Sequence, residues 1–192
     1  MEFVQKKEQQ NKARLGAIGE YNVVSLLMQH GWDAFNANCS IKNYKSIDIV
    51  CLKNDNEDSL LKPEFALVQV KTCTQNNIPV GFNIEQCLDK DYLRKMVKGP
   101  YVFVYVNKTD GKYSFRYFIL SRTQFVELVY VAHNYYVNGY KREKGLKLKS
   151  LGGLYVRWLE GKSDEATDKH VAFENPLKGV TCEDCWNNIW EE

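Results

Sequence analysis

Tyr101-Val102-Phe103-Val104-Tyr105-Val106 has the highest strand propensity of any run in this chain. β-Branched and aromatic residues fill the run, and such residues pack well on a pleated surface. Since side chains alternate between the two faces of a strand and all six are apolar, the pattern predicts a central strand covered on both sides. Together with the helical patterns elsewhere in the chain, such a strand favours an α/β or α+β fold.

Further predicted elements lie on either side of this strand. Apolar spacing predicts a long first helix that ends at Gly31, a turn is expected at Asp110-Gly111, and Ser121 is expected to cap a later helix. A polar turn with Pro79 and Gly81 is expected after the strand that ends near residue 71. The predicted helices cover residues 2–30, 84–97, 121–131 and 186–190, and the predicted strands cover residues 32–36, 46–52, 65–71, 101–106, 114–120 and 155–159.

Composition sets broad limits on the class of protein. The 192 residues are 44% hydrophobic and 26% charged, which is typical of a folded globular domain and argues against disorder. A formal net charge of +2 neither requires nor excludes nucleic acid as a partner. The N-terminus has no apolar signal region and no apolar run is long enough to span a membrane, so the six cysteines are interpreted as thiols and the protein as cytoplasmic.

Three short segments place polar residues where their own patterns call for buried ones. Glu20 lies on a helical face of glycines and valines, Asp48 interrupts an apolar strand, and Gln69 and Lys71 share one face of the next strand. Each has an ordinary alternative explanation: a partnered or edge glutamate, an aspartate at an exposed strand edge, or a half-exposed strand. The order of the three segments makes a joint role more probable than any one residue does alone.

The two strands are consecutive, so their polar faces are expected to be neighbours. Gly16 and Gly19 would let the helix approach the sheet and bring Glu20 to the same place. Carboxylate, amide and carbonyl oxygens are the ligands that Mg²⁺ prefers, so Asp48, Gln69, the Val70 carbonyl and Glu20 are the predicted metal ligands. Lys71 is expected to orient a water or to stabilise charge on a phosphoryl oxygen. The chemistry indicated is metal-dependent hydrolysis of a phosphate ester.

At these residues the chain resembles the PD-(D/E)XK nuclease superfamily, whose members have the restriction-endonuclease-like fold. Glu20, Asp48 and Gln69-Val70-Lys71 match the helix glutamate, the strand aspartate and the (D/E/Q)-x-K tripeptide of that pattern. The sequence around these residues is similar to that of homing endonucleases of group I introns. The sequence departs from the pattern in two places: Ile47 replaces the nominal proline, and Gln69 replaces an acidic ligand, which leaves the metal site one negative charge short.

The resemblance implies an α-β-β-β-α-β core with a mixed central sheet flanked by helices. It covers roughly residues 12–125, so we divide the chain into a nuclease-like core at 1–125 and an α+β C-terminal extension at 126–192 that packs on the core. It further implies an Mg²⁺- or Mn²⁺-dependent endonuclease that hydrolyses phosphodiester bonds, with double-stranded DNA as the expected partner. Glu20, Asp48, Gln69 and Lys71 would be its catalytic residues. Two-fold symmetric cutting makes a homodimer plausible.

Basic residues offer candidate contacts with nucleic acid, although a solvated loop is the more common explanation of such residues. The candidates are Lys12, Arg14, Lys42, Lys45, Lys141 and Arg142. Cys182 and Cys185 have the spacing of half a zinc site, which His133 and His170 would have to complete, and a pair of inert thiols is the simpler interpretation.

Two other classes of function stay open on the sequence. Gln69 is compatible with a module that binds nucleic acid through a nuclease fold whose catalysis is weak or lost. The tyrosine-rich C-terminal region and modest charge are compatible with a protein-interaction domain.

Overall fold

The computed structural model describes residues 2–39, 47–53, 64–139 and 148–192. Over these residues the fold is mixed α/β, with a mixed central sheet flanked by helices. The helices are α1 (Glu2–Gln29), α2 (Ile84–Cys87), α3 (Lys90–Met96), α4 (Arg122–Asn134) and α5 (Val156–Leu159). The strands are β1 (Asp33–Asn36), β2 (Ile49–Lys53), β3 (Glu64–Cys73), β4 (Asn77–Asn83), β5 (Tyr101–Thr109), β6 (Lys112–Leu120) and β7 (Leu151–Tyr155). Short 3-10 turns cover Ala37–Cys39 and Trp186–Ile189, and one π-helical turn covers Tyr135–Gly139.

The central sheet has five strands in the order β1-β2-β3-β5-β6. Strands β3 and β5 are parallel, and the other neighbours are antiparallel. A parallel pair needs a crossover connection, and here β4, α2 and α3 supply it. Strand β4 leaves the central sheet and pairs with β7 in a separate two-stranded sheet.

Two apolar clusters cover the sheet, one on each face. On the α1 face, Val102 and Val104 of β5 pack with Val23 and Leu27 of the helix. On the opposite face, Tyr101 and Phe103 join residues of α2, α3, α4 and the small sheet. The prediction that residues 101–106 form a central strand covered on both sides is confirmed.

Residues beyond position 125 contribute to the same two clusters. Trp186 and Ile189 belong to the α1-side cluster, while Leu154 and Phe173 belong to the opposite one. Arg116 of β6 also holds this region, because its guanidinium donates to both oxygens of Glu183 at 2.7 Å and to Glu160 at 2.7 Å. The C-terminal region is therefore packed on the sheet through apolar and ionic contacts.

Several local predictions are confirmed by the structure. α1 covers the predicted first helix, β3 covers the predicted strand at 65–71, and the turn has Asp110 at φ 52° and Gly111 at φ 77°. Ser121 caps α4 in a reciprocal pair with Gln124. Within the predicted strand at 46–52, the structure has a strand from Ile49, and Ser46 lies outside the described residues.

Three predictions are wrong in part. The single helix expected at 84–97 is two short helices, because Asp89 is extended and caps α3 by accepting from the Tyr92 N–H. The polar turn expected after β3 contains strand β4, whose backbone pairs with β7 despite its Pro and Gly. The strand expected at 155–159 is the end of β7 followed by a helix that begins at Val156.

Within the described part of the chain, no helix combines the length and apolar character needed to cross a membrane. Among the side chains that the structure describes, the free thiols are Cys51, Cys73, Cys87, Cys182 and Cys185.

Candidate active site

The site lies where β3 continues past the end of β2. The last pair between these strands is Ile49 with Val68, so the following residues of β3 have no β2 partner on that side. Asp48 comes directly before β2, and its backbone N–H donates to the Val68 carbonyl at 3.0 Å. Its carboxylate Oδ2 then accepts from the Val70 N–H at 2.8 Å and from the Gln69 amide. The Asp48 side chain therefore satisfies a backbone donor that would otherwise face the open edge of the sheet.

Gly19 lets α1 approach β3 closely. A Cβ at position 19 would lie 1.9 Å from Thr72 Oγ1, so only glycine fits there. Glu20 is the next residue, and this close approach brings its carboxylate to the end of the sheet. The expectation that Gly16 also permits this contact is wrong, because no atom lies within 4 Å of a Cβ built at Gly16.

Two asparagines that the sequence analysis did not single out join the carboxylates. Asn36 Nδ2 donates to Glu20 Oε2 at 2.9 Å, and Asn38 Nδ2 donates to Asp48 Oδ1 at 3.0 Å. The Asn38 N–H in turn donates to Asn36 Oδ1 at 2.8 Å. Asn36 is the last residue of β1 and Asn38 lies in the 3-10 turn that follows it. Two asparagines in an Asn-Ala-Asn run at a strand end are the signal that could have identified them.

Lys71 lies on the same sheet face as Gln69, beneath β4. A Cβ at Gly81 of β4 would lie 3.7 Å from Lys71 Nζ, so this strand passes directly over the ammonium group. Burial lowers the pKa of Lys71, while the negative charges of Asp48 and Glu20 oppose that change. The structure therefore holds a partly buried amine in the same cavity as two carboxylates.

The pKa of Glu20 is shifted in the opposite direction, above its ordinary value. Burial raises its pKa, hydrogen bonds from Asn36 and Asn38 lower it, and the nearby charge of Asp48 raises it further. The attraction of Lys71 is the weakest of these influences. Titratable groups in a cleft whose pKa values are shifted by burial and by neighbouring charges are often found at functional sites.

Both carboxylates and the Lys71 amine line one cavity of about 400 Å³. The predicted site residues that it brings together are Glu20, Asp48, Gln69, Val70 and Lys71, and the residues that complete the wall are Leu67, Val80, Gly81, Phe82, Met96, Lys98, Gly99 and Tyr101. Lys98 is an exposed cation at this wall, and the sequence analysis did not select it. Lys98 lies in the turn between α3 and β5, and this turn brings it to the cavity.

Of the six predicted basic contacts, the structure describes Lys12 and Arg14. Lys12 and Arg14 are exposed on α1 and do not line the cavity, and Lys12 lies eight residues, or about 12 Å along the helix, before Glu20. Lys42, Lys45, Lys141 and Arg142 fall outside the described residues.

The donor set suits a hard divalent cation. Glu20 and Asp48 supply carboxylate oxygens, Gln69 supplies an amide, and all three side chains line the cavity. In the structure the Gln69 amide nitrogen faces Asp48, and a half-turn of the carboxamide places Oε1 there instead. The set contains two acidic residues, and no group of three His, Cys, Asp or Glu side chains that could hold a metal occurs in the part of the chain that the structure describes.

The zinc alternative finds no support at His133. This buried ring uses both nitrogens, with Nδ1 2.6 Å from the Val129 carbonyl and Nε2 accepting from the Gly153 N–H at 3.0 Å. These two His133 hydrogen bonds connect β7 to α4. Cys182 is buried, and the Cys185 thiol lies 3.4 Å from Asn188 Oδ1.

Comparisons with protein families, with curated proteins and with solved structures found no match to this chain. The site therefore has to be interpreted from its own geometry.

Proposed function

We propose that this protein is an Mg²⁺- or Mn²⁺-dependent nuclease that hydrolyses phosphodiester bonds, with DNA as its substrate. The observation that carries the proposal is the convergence of Glu20, Asp48 and Lys71 on one cavity. Glu20 comes from α1, Asp48 directly precedes β2, and Lys71 comes from β3, so the three residues are separated in sequence. Two acids and a partly buried amine in one cavity are the groups that cation-assisted phosphate chemistry needs.

The element order is consistent with a restriction-endonuclease-like core, which is part of the proposal. α1 is followed by the antiparallel strands β1, β2 and β3, then by helices, and then by β5 parallel to β3. Strand β4 is an addition to this order, since it pairs outside the central sheet.

In the proposed reaction a water oxygen forms a bond to phosphorus while the bond to the leaving oxygen breaks and that oxygen takes up a proton. Asp48 and Gln69, with Glu20 and the Val70 carbonyl, would hold the cation. When bound, the cation polarises a phosphoryl oxygen and makes a coordinated water more acidic. Lys71 contributes a donor that orients the attacking water or stabilises charge on the phosphoryl oxygens. β4 and the α3–β5 turn form walls of the cavity in which these groups lie.

The test is cleavage of plasmid DNA with Mg²⁺ or Mn²⁺ by the wild type and by Lys71→Met. Methionine keeps most of the side-chain volume and removes the ammonium group, so we expect a rate loss of about a hundredfold or more. Lys112→Met is the matched control, because Lys112 is exposed at the β5–β6 turn, away from the cavity. Absence of cleavage by the wild type, or equal rates for the wild type and Lys71→Met, would overturn the proposal.

One observation favours a second candidate, a nucleic-acid-binding module with weak or lost catalysis. Both Asp48 oxygens already accept hydrogen bonds, from Asn38, Gln69 and the Val70 N–H, so this carboxylate is satisfied without a cation. Gel shifts without cleavage, together with no heat of Mn²⁺ binding in calorimetry, would favour this candidate over the nuclease.

A further inference from the structure

Tyr101 lines the cavity but has no part in the chemistry described above. It is paired with Gln69 in the parallel β3–β5 ladder, so the two side chains share a sheet face. The Tyr101 ring is stacked on Phe125, with centroids 3.6 Å apart and planes 7° apart. This packing restricts the ring, and its hydroxyl is therefore held at a fixed place in the cavity wall.

The Tyr101 hydroxyl has no hydrogen-bond partner among the residues that the structure describes. It is also not one of the side-chain oxygen and nitrogen atoms that are completely buried without a partner. It therefore opens to the cavity that the ring lines. Burial and the negative charge of Asp48 raise the pKa of Tyr101. The phenol is consequently a neutral hydrogen-bond donor at physiological pH.

Phe103, on the same face of β5, shows that packing in this apolar cluster does not require a hydroxyl group. Phe103 lies two residues further along β5 on the same face and is fully buried in the same apolar cluster. A tyrosine that is 95% enclosed normally directs its hydroxyl to a partner. At Tyr101 that partner must be something that enters the cavity.

We propose that the Tyr101 hydroxyl donates a hydrogen bond to a non-bridging oxygen of the substrate phosphate beside Lys71. This inference rests on the proposed function and adds a substrate contact from β5 to the groups supplied by α1, β2 and β3. The fixed ring would place the donor before substrate arrives, so little ordering is needed on binding.

Tyr101→Phe tests the contact, because it removes the hydroxyl and keeps the ring stacked on Phe125. The matched control is Tyr105→Phe on the same strand, whose hydroxyl donates to Asn76 Oδ1 at 3.0 Å and which does not line the cavity. We measure kcat/KM for DNA cleavage and the Kd for a phosphorothioate-substituted duplex that is cut slowly. We expect Tyr101→Phe to lower kcat/KM and to raise Kd, each by about tenfold to a hundredfold. Tyr105→Phe should change neither quantity by more than about twofold.

Circular dichroism and the thermal midpoint establish that each variant is folded. If the wild type cuts DNA and Tyr101→Phe matches it in both measurements, the Tyr101 contact is overturned while the nuclease proposal stands. If the wild type binds but does not cut, the nuclease proposal fails and the Kd comparison alone decides the role of Tyr101. If the wild type neither cuts nor binds, both proposals are overturned.

Discussion

The carboxylate of Asp48 accepts a hydrogen bond from the backbone N–H of Val70 at 2.8 Å, and so continues the β2–β3 ladder beyond its last backbone pair. Its other oxygen accepts from Asn38. One side chain therefore closes the open edge of the sheet and supplies an oxygen to the cavity. In the proposed nuclease, folding and cation binding depend on the same carboxylate.

Asp48→Ala should lower the free energy of unfolding by about 1–3 kcal/mol, because the Val70 N–H and the Asn38 and Gln69 amides lose their acceptor. Asp48→Asn is the matched variant, since its single carbonyl oxygen can still accept from Val70, and we expect a smaller loss. Urea unfolding monitored by tryptophan fluorescence measures both. Equal stability of Asp48→Ala and the wild type would show that the hydrogen bond contributes nothing to the fold.

Replacement of the two α1 glycines by alanine should change the free energy of unfolding in opposite directions. Gly19→Ala places a Cβ 1.9 Å from Thr72 Oγ1, so α1 must shift, and we expect a loss of about 1–3 kcal/mol in unfolding free energy together with loss of cleavage. Gly16→Ala meets no atom within 4 Å and should add about 0.5–1 kcal/mol of stability, because alanine favours a helix over glycine. Thermal and urea unfolding of both variants give the comparison. A stabilised Gly19→Ala would mean that α1 does not contact β3 as described.

The sheet was predictable where sequence periodicity alone determines burial. β5 is apolar on both faces, and the Asp110-Gly111 turn and the Ser121 cap are local features that need no tertiary information. β4 was not predictable in this way, because its Pro79 and Gly81 mark a turn by local rules. Its strand character comes from pairing with β7, more than 60 residues away in sequence.

The same distinction holds at the site. Glu20, Asp48 and Lys71 stood out because each breaks an apolar pattern, and they do line one cavity. Asn36 and Asn38 break no pattern, since asparagine is common where strands end. Their contribution follows from hydrogen bonds to two carboxylates that only the folded chain brings near them.

Glu20→Gln should raise stability near pH 7 while it abolishes cleavage. The folded state raises the pKa of Glu20 above its ordinary value of 4.5, chiefly through burial, so stability is lost as pH rises through the folded pKa. Glutamine avoids this cost and still accepts from Asn36, although Lys71 loses one neighbouring charge. Urea unfolding at pH 7 should favour the variant, and its advantage should shrink as the pH approaches 4.5. A variant less stable than the wild type at pH 7 would contradict the described environment of Glu20.

His133 should make the fold sensitive to mild acid. Burial lowers its pKa below the ordinary 6.5, and the hydrogen bond to the Val129 carbonyl only partly opposes this. The unfolded chain therefore binds the proton more readily, so His133 contributes stability above pH 6.5 that is lost as the pH falls through the folded pKa. Protonation would also remove the acceptor for the Gly153 N–H and so loosen β7 from α4.

His133→Gln keeps a donor and an acceptor but cannot titrate, and should lose less unfolding free energy than the wild type between about pH 7.5 and 5. Urea unfolding at several pH values measures both proteins. Parallel curves for His133→Gln and the wild type would mean that the His133 ring is not held neutral by its burial.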